Sequence, residues 1–307
     1  MSNPTNMDLL QQSFERNPEW AGKSYTHEPV PGGLTNFNFK LRIDGVDGEV
    51  FAKIPGPGTE AFIDRNAANL AAVQAAEAGI SPKVYFLDEQ TGVEYSEFIG
   101  NEYRTATTLD FQDMDVFGKV MDVYRQWHAT PALADTKTMF DMVDEHYDQV
   151  KADNIELPAF ATEVLANYER AKERYLAAGL TMVPAHNDPM PGNFLLSDDK
   201  PVKLLDFEYA ANNDVAYELG VLLCEMFVSE ENTRLLVERY LGHFDEKFFA
   251  RVMISRMIAD TKWGLWGLIN NAVRNEEFDY YKYGAWKLYR TFTISRHPDF
   301  ETWLEQI

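Results

Sequence analysis

One segment limits the folds open to this chain more than any other: HNDPMPGNFLLSDDKPVKLLDFEYA, residues 186–210. Pro189, Pro191 and Gly192 remove a backbone donor or add freedom where a helix would need order, so Asp188 to Asn193 must be a loop. Thr181–Ala185 before it and Phe194–Leu196 after it read as strands, and Val202–Leu205 reads as a third that ends on Asp206-Phe207. The expectation is strand, turn and strand, with the three polar residues presented together. Asp188 followed five residues later by Asn193, then a downstream Asp-Phe pair, is the spacing a phosphoryl-transfer site uses. Such a site orients a hydroxyl with a carboxylate and holds Mg²⁺ against the phosphates of ATP. Asp188 is the candidate catalytic residue, and Asn193 and Asp206 are the candidate metal ligands. His186 is expected to brace the backbone by hydrogen bonding. The plainer alternative is an Asx turn at His186-Asn187-Asp188, with Asp206 capping the next segment.

Upstream, YTHEPVPGGLTNFNFKLRIDGVDGEVFAKI reads as two strands joined by the turn-rich DGVDG, with a glycine-rich loop at the front. In Gly32-Gly33-Leu34-Thr35-Asn36 the glycines let backbone amides approach an anion closely, so Gly32, Gly33, Thr35 and Asn36 are candidate contacts to ATP phosphates. The GxxxxGK[ST] pattern of a P-loop is missing, and a plain turn is the competing reading. Lys53, at the end of the strand Glu49–Ile54, is placed to neutralise the α- and β-phosphates. A helix is expected over Ala61–Ala78, then a hairpin in SPKVYFLDEQTGVEYSEFIG. Glu97-Phe98-Ile99 is expected to cross between lobes, with Glu97 and Ile99 offering backbone groups to adenine.

Helical periodicity dominates after Thr107: Asp115–His128, Met139–Lys151, Ala159–Ala178, Val215–Val228, Glu231–Tyr240 and Phe248–Ile269. This predicts an α+β chain of two lobes: residues 1–100 as a small nucleotide-binding β lobe with a helix, and 101–307 as a larger, mainly helical catalytic and substrate-binding lobe.

With 49 acidic against 28 basic residues the net charge is −21, which repels nucleic acid and anionic membranes and steers cations inward. The surplus also serves simply to keep a surface soluble. No apolar run is long enough to span a bilayer, and the opening residues lack a leader pattern, so a cytoplasmic location is expected. The single Cys224 sits in an apolar run and reads as core.

Near the C-terminus, TKWGLWGLINNAVRNEEFDYYKYGAWKLYR puts Trp263 and Trp266 on one helix face, with Tyr280, Tyr281 and Tyr283 following. Such a set encloses a quaternary ammonium, each ring contributing about 0.5–2 kcal/mol; equally, it is core. Gly264 and Gly267 each cost roughly 1 kcal/mol against alanine in a helix, so they mark either space beside the rings or a close helix-to-helix approach.

These motifs resemble the choline/ethanolamine kinase family, a branch of the aminoglycoside phosphotransferase group with a protein-kinase-like fold. GGLTNFNFKL is similar to the family's phosphate loop, HNDPMPGN to its catalytic loop, LLDFEYAANNDVAYELGVLLCE to its metal-binding segment, and WGLW with Tyr283 to its C-terminal aromatic motif. The resemblance implies Asp188 as base, Asn193 and Asp206 on Mg²⁺, Lys53 on the ATP phosphates, and Glu225, Trp263, Trp266 and Tyr283 lining the pocket of a small cationic amino alcohol such as choline. Two departures stand out. The first-lobe helix offers Asn66, Ala67, Ala68 and Asn69 where the family has a glutamate for its phosphate-binding basic residue, leaving Glu60 or Glu77 as substitutes. Ser229, Glu230 and Glu231 occupy the place of a further pocket aromatic. Ethanolamine, thiamine or an aminoglycoside as acceptor, a catalytically silent nucleotide- or amine-binding regulator, and a homodimer all stay open.

Overall fold

The computed structural model describes residues 5–31, 36–57, 59, 63–274 and 278–307. In chain order the first elements are α1 (Asn6–Arg16), β1 (Tyr25–Val30), β2 (Asn36–Ile43), β3 (Val50–Pro55), α2 (Arg65–Glu77), β4 (Val84–Asp88), β5 (Val93–Glu97), β6 (Arg104–Thr105) and α3 (Met114–His128). There follow α4 (Met139–Ala152), α5 (Ala161–Ala178), β7 (Met182–Ala185), β8 (Phe194–Leu196), β9 (Lys203–Leu204), β10 (Ala211–Asp214), α6 (Val215–Glu225), α7 (Glu230–Leu241), α8 (Glu246–Val273), α9 (Tyr280–Ile294) and α10 (Phe300–Gln306). They form two compact units, residues 1–130 with 190–210, and residues 131–189 with 211–307.

The first unit is built on an antiparallel sheet of order β1-β2-β3-β5-β4. Sequence reading gave two strands before Ile54, and the structure has three, because the chain reverses between β1 and β2 as well as at DGVDG. Strand β1 was hard to see: it is an edge strand, largely exposed and carrying Pro29, which only an edge tolerates. Gly32, Gly33 and Thr35 lie outside the described residues. In β3, Val50, Ala52 and Ile54 alternate inward onto Leu10 and Phe14 of α1 and onto Val93 and Tyr95 of β5. Val50 and Ile54 each contribute about 1.5–3 kcal/mol by this burial, and the same alternation turns Lys53 to the opposite face.

Helix α2 begins at Arg65, where the Asp64 side chain accepts hydrogen bonds from the Asn66 and Ala67 amides. Residues 190–210 return to this unit to form the small sheet β6-β8-β9. There, Phe194 packs on Phe111 and Tyr124, and Phe207 on Trp127 of α3. That packing carries the compact unit past Gly100, where the sequence pattern changes.

In the second unit α8 is the axis, buried over most of its length and packed by α4, α6, α9 and α10. Strand β7 pairs antiparallel with β10, Ala185 opposite Ala211 and Met182 opposite Asp214. The expected strand-turn-strand unit is thus corrected: β7 and β8 belong to different sheets, and the loop carrying Asp188 runs from one to the other. A single 3-10 turn, Pro191–Asn193, closes the loop. Helix α6 stops at Glu225 instead of Val228, because Phe227 turns left-handed at φ 55°. Helices α9 and α10 lie beyond the segments that periodicity marked. No described helix is long and apolar enough to cross a membrane.

Candidate active site

In the first unit the metal candidates are brought together through the backbone. The Leu205 amide donates to the Asn193 carbonyl at 2.8 Å, which sets the 3-10 turn beside the Asp206-Phe207 segment. Asp206 has φ 61°, a left-handed conformation that aspartate tolerates better than most residues. Lys53 Nζ donates to Asp206 Oδ1 at 3.2 Å and lies 3.2 Å from Glu208 Oε1. Glu208, whose side chain is 5% exposed, also accepts from Asn36 Nδ2 at 2.9 Å, with Arg65 Nη1 3.9 Å away.

Glu208 therefore fills the role for which the sequence offered Glu60, outside the described residues, or Glu77, which is not among the groups acting on Lys53. Burial by itself would lower the Lys53 pKa, but Asp206, Glu208 and Glu94 hold it above the usual lysine value, so the side chain stays charged. Sequence reasoning missed Glu208, which follows the left-handed Asp206 in a turn, where no strand or helix period marks its side. Asn193 and Asp206 carry an amide and a carboxylate oxygen, hard donors of the kind that would suit Mg²⁺. At the proposed adenine connector, Glu97 closes β5 opposite Val50 and its amide donates to the Lys83 carbonyl at 2.8 Å. The Phe98 amide donates to the Glu49 carbonyl at 3.0 Å, and Ile99 follows outside any strand.

In the second unit the loop carrying Asp188 is fixed from behind. Glu218 on α6, fully buried, accepts from the His186 amide at 2.8 Å and the Asn187 amide at 3.0 Å. Asn187 has φ 64°, and its side-chain oxygen accepts from Asn213 Nδ2 at 3.0 Å. The Asp188 amide donates to His186 Nδ1 at 3.3 Å, so His186 braces the backbone as expected. Burial pushes Glu218 up to about 7, against the pull of the two amides. The Asp188 carboxylate is felt electrostatically by Tyr217 of α6, Lys262 of α8 and Tyr283 of α9.

Those rings form a connected set. Trp263 and Trp266 meet edge to face with centroids 5.7 Å apart, and Trp266 meets Tyr283 at 5.8 Å. Gly264 and Gly267 do not leave space beside the indoles. A Cβ on Gly264 would lie 2.7 Å from Leu288 Cδ2, and one on Gly267 would lie 2.7 Å from Gly284 Cα, so both serve the close packing of α8 on α9. Glu225 is ion-paired with Lys287, which also lies 3.5 Å from Asp260, and Arg290 clamps Asp260 at 2.5 and 2.6 Å. The charge of Glu225 is thus balanced within the protein. Asp260 and Lys262 lie within the expected helix Phe248–Ile269, where nothing in the sequence sets them apart, whereas Lys287 and Arg290 lie beyond the last segment that periodicity marks.

The sequence profile described as choline/ethanolamine kinase matches residues 27–240. The chain belongs to the choline/ethanolamine kinase family. It is therefore a phosphotransferase with an alcohol acceptor, on a protein-kinase-like fold. "Probable choline kinase 2" of Arabidopsis thaliana is 25% identical over 290 residues, spanning 83% of this chain and 81% of that protein. A crystal structure of a choline/ethanolamine kinase family protein from Mesorhizobium loti superposes with a TM-score of 0.84 at 27% identity, covering 98% of this chain and 99% of that one. LicA solved in complex with AMP shares the fold at a TM-score of 0.75 and 18% identity, over 99% of this chain and 100% of that one.

Proposed function

We propose that this kinase transfers the γ-phosphoryl group of ATP, with Mg²⁺, to the hydroxyl of choline, ethanolamine or a closely related small amino alcohol. The observation that carries the reading is the Asp188 loop: its backbone is pinned by Glu218 and His186, and its carboxylate acts electrostatically on Tyr283, whose ring meets Trp266 in the same unit. A hydroxyl two carbons from an ammonium seated on those rings falls to Asp188, which orients it and takes its proton, a role worth roughly 10²–10⁴-fold in rate.

Lys53, kept charged by Glu208, binds the α- and β-phosphates, and residues 1–100 form the nucleotide lobe, with Gly32, Gly33, Thr35 and Asn36 around the phosphates and the backbone of Glu97 and Ile99 along adenine. Asn193 and Asp206 hold the metal, which supplies charge neutralisation on the transferring phosphate. The five-residue step from Asp188 to Asn193 spans at most about 18 Å, which supports their action on one nucleotide. AMP bound by LicA supports an adenine nucleotide as donor. Glu225 and Tyr283 border the amine, with Glu225 sharing its charge between Lys287 and the substrate.

The test is ADP release by purified protein with choline, ethanolamine, their partly methylated relatives and thiamine. Amine-dependent release that requires Mg²⁺ supports the reading, and no release with any of them rejects it.

A further inference from the structure

Lys262 is 1% exposed, and its Nζ lies 3.0 Å from the centroid of the Trp263 indole. A cation binds an aromatic face within about 6 Å of its centroid, and one face seats one cation. The lysine thus takes a ring face that the amine of a substrate would use. The groups around it pull in opposite directions. Asp188 of the catalytic loop and Glu145 of α4 favour its charge, while Lys137 before α4 and Lys287 of α9 oppose it. His146 of α4, kept uncharged by burial and by Lys262 itself, faces it as well. Burial outweighs them all and brings the Lys262 pKa well below the ordinary lysine value.

The consequence differs between kinds of amine. An uncharged lysine nitrogen carries a lone pair, and a primary, secondary or tertiary ammonium can donate an N–H to it. A quaternary ammonium has no N–H and brings a further methyl group to a face already in use. A protonated Lys262 would have no lone pair and would repel every cation alike, so the discrimination belongs to the uncharged side chain.

We propose that Lys262 makes the amine site selective for amino alcohols that carry at least one N–H over quaternary ones. The inference rests on the proposed function in taking the substrate to be a small amino alcohol. It makes ethanolamine and its partly methylated forms the preferred acceptors, with choline the poorest of the series.

The test measures kcat/KM for ethanolamine, N-methylethanolamine, N,N-dimethylethanolamine and choline in the wild type, Lys262→Met and Lys262→Gln, with thermal melting to confirm folding. In the wild type the fall should be concentrated in the last step, from dimethylethanolamine to choline, where the final N–H is lost, and should reach about ten-fold or more. Lys262→Met should lower the ethanolamine-to-choline ratio by a similar factor through KM, with kcat little changed. Lys262→Gln, whose amide oxygen still accepts an N–H, should retain part of the preference, a rescue that a purely structural role would not give.

A ratio unchanged within about two-fold in Lys262→Met, an equal fall at every methylation step, or a wild type that prefers choline would overturn the proposal. Calorimetric binding of the same four amines reads the same ratio without turnover. Binding without phosphorylation therefore sinks the proposed function while still deciding the role of Lys262, and no binding of any amine rejects both.

Discussion

Asn187 and Asp206 are held in the left-handed region at φ 64° and 61°, next to the candidate base and at a candidate metal ligand. Such conformations cost of order 1–3 kcal/mol and persist where the surroundings over-determine them. At Asn187 the surroundings are Glu218 and Asn213. Glu218→Gln replaces one acceptor oxygen with a donor facing a backbone N–H, so kcat should fall about ten-fold or more with the amine KM nearly constant. The titration of Glu218 gives a signed prediction for stability. Its folded pKa of about 7 exceeds the 4.5 of an ordinary glutamate, so its contribution is fully present below about pH 4.5 and is lost as pH rises through 7. Unfolding in urea should therefore show wild type losing roughly 1–3 kcal/mol relative to Glu218→Gln between pH 4.5 and 8; a difference flat with pH would contradict the account. Across the first unit, Glu208→Ala should raise the KM for ATP by about ten-fold without moving the amine KM, because Lys53 loses a buried partner.

Helices α8 and α9 show how an element sets the geometry of a site. Their approach at Gly264, Gly267 and Gly284 is too close for any Cβ, since one on Gly284 would lie 2.7 Å from the Gly264 carbonyl oxygen and 2.8 Å from the Leu268 amide. Gly284→Ala must therefore push α9 outward, carrying Tyr283 and Lys287 with it. Destabilisation of about 1–3 kcal/mol in urea is expected, together with a raised amine KM and an unchanged KM for ATP. At this scale the sequence was legible wherever a local period carries the information. The helices from α3 to α8 follow the apolar spacing, and β3 shows its alternation. It was opaque where the information lies in partners distant along the chain. Nothing near Met182–Ala185 announces that Asn212 and Asn213 will pair beside it, so β7 was joined to β8 instead of β10. Helix α9 went unmarked because polar Lys287 and Thr291 are buried while Trp286 and Tyr289 face outward, which breaks the apolar pattern, and with it went Lys287, one turn beyond Tyr283. The motif residues were legible because chemistry fixes their spacing; the residues that hold them, Glu208, Glu218 and Asp260, came to light only with the fold.

Over the whole molecule, the segment proposed as catalytic belongs to both compact units: Asp188 to one, Asn193 and Asp206 to the other, with Pro189 the last residue before the change. The units also divide the chemistry, the charged cluster around Lys53 in one and the aromatic set with the Asp188 loop in the other. The net charge of −21 favours a cationic acceptor over an anionic one through long-range steering, so amine kcat/KM should decline as salt rises from 0.05 to 0.5 M, by roughly two- to ten-fold. The central claim is that Asp188 activates an amino-alcohol hydroxyl toward ATP held by Lys53, Asn193 and Asp206. Its most direct test is ADP release with and without amine in wild type and Asp188→Asn, with ATP binding measured alongside. The account predicts amine-dependent release in the wild type that falls by at least about 10²-fold in Asp188→Asn while ATP binds as before; equal release from the two proteins would contradict it.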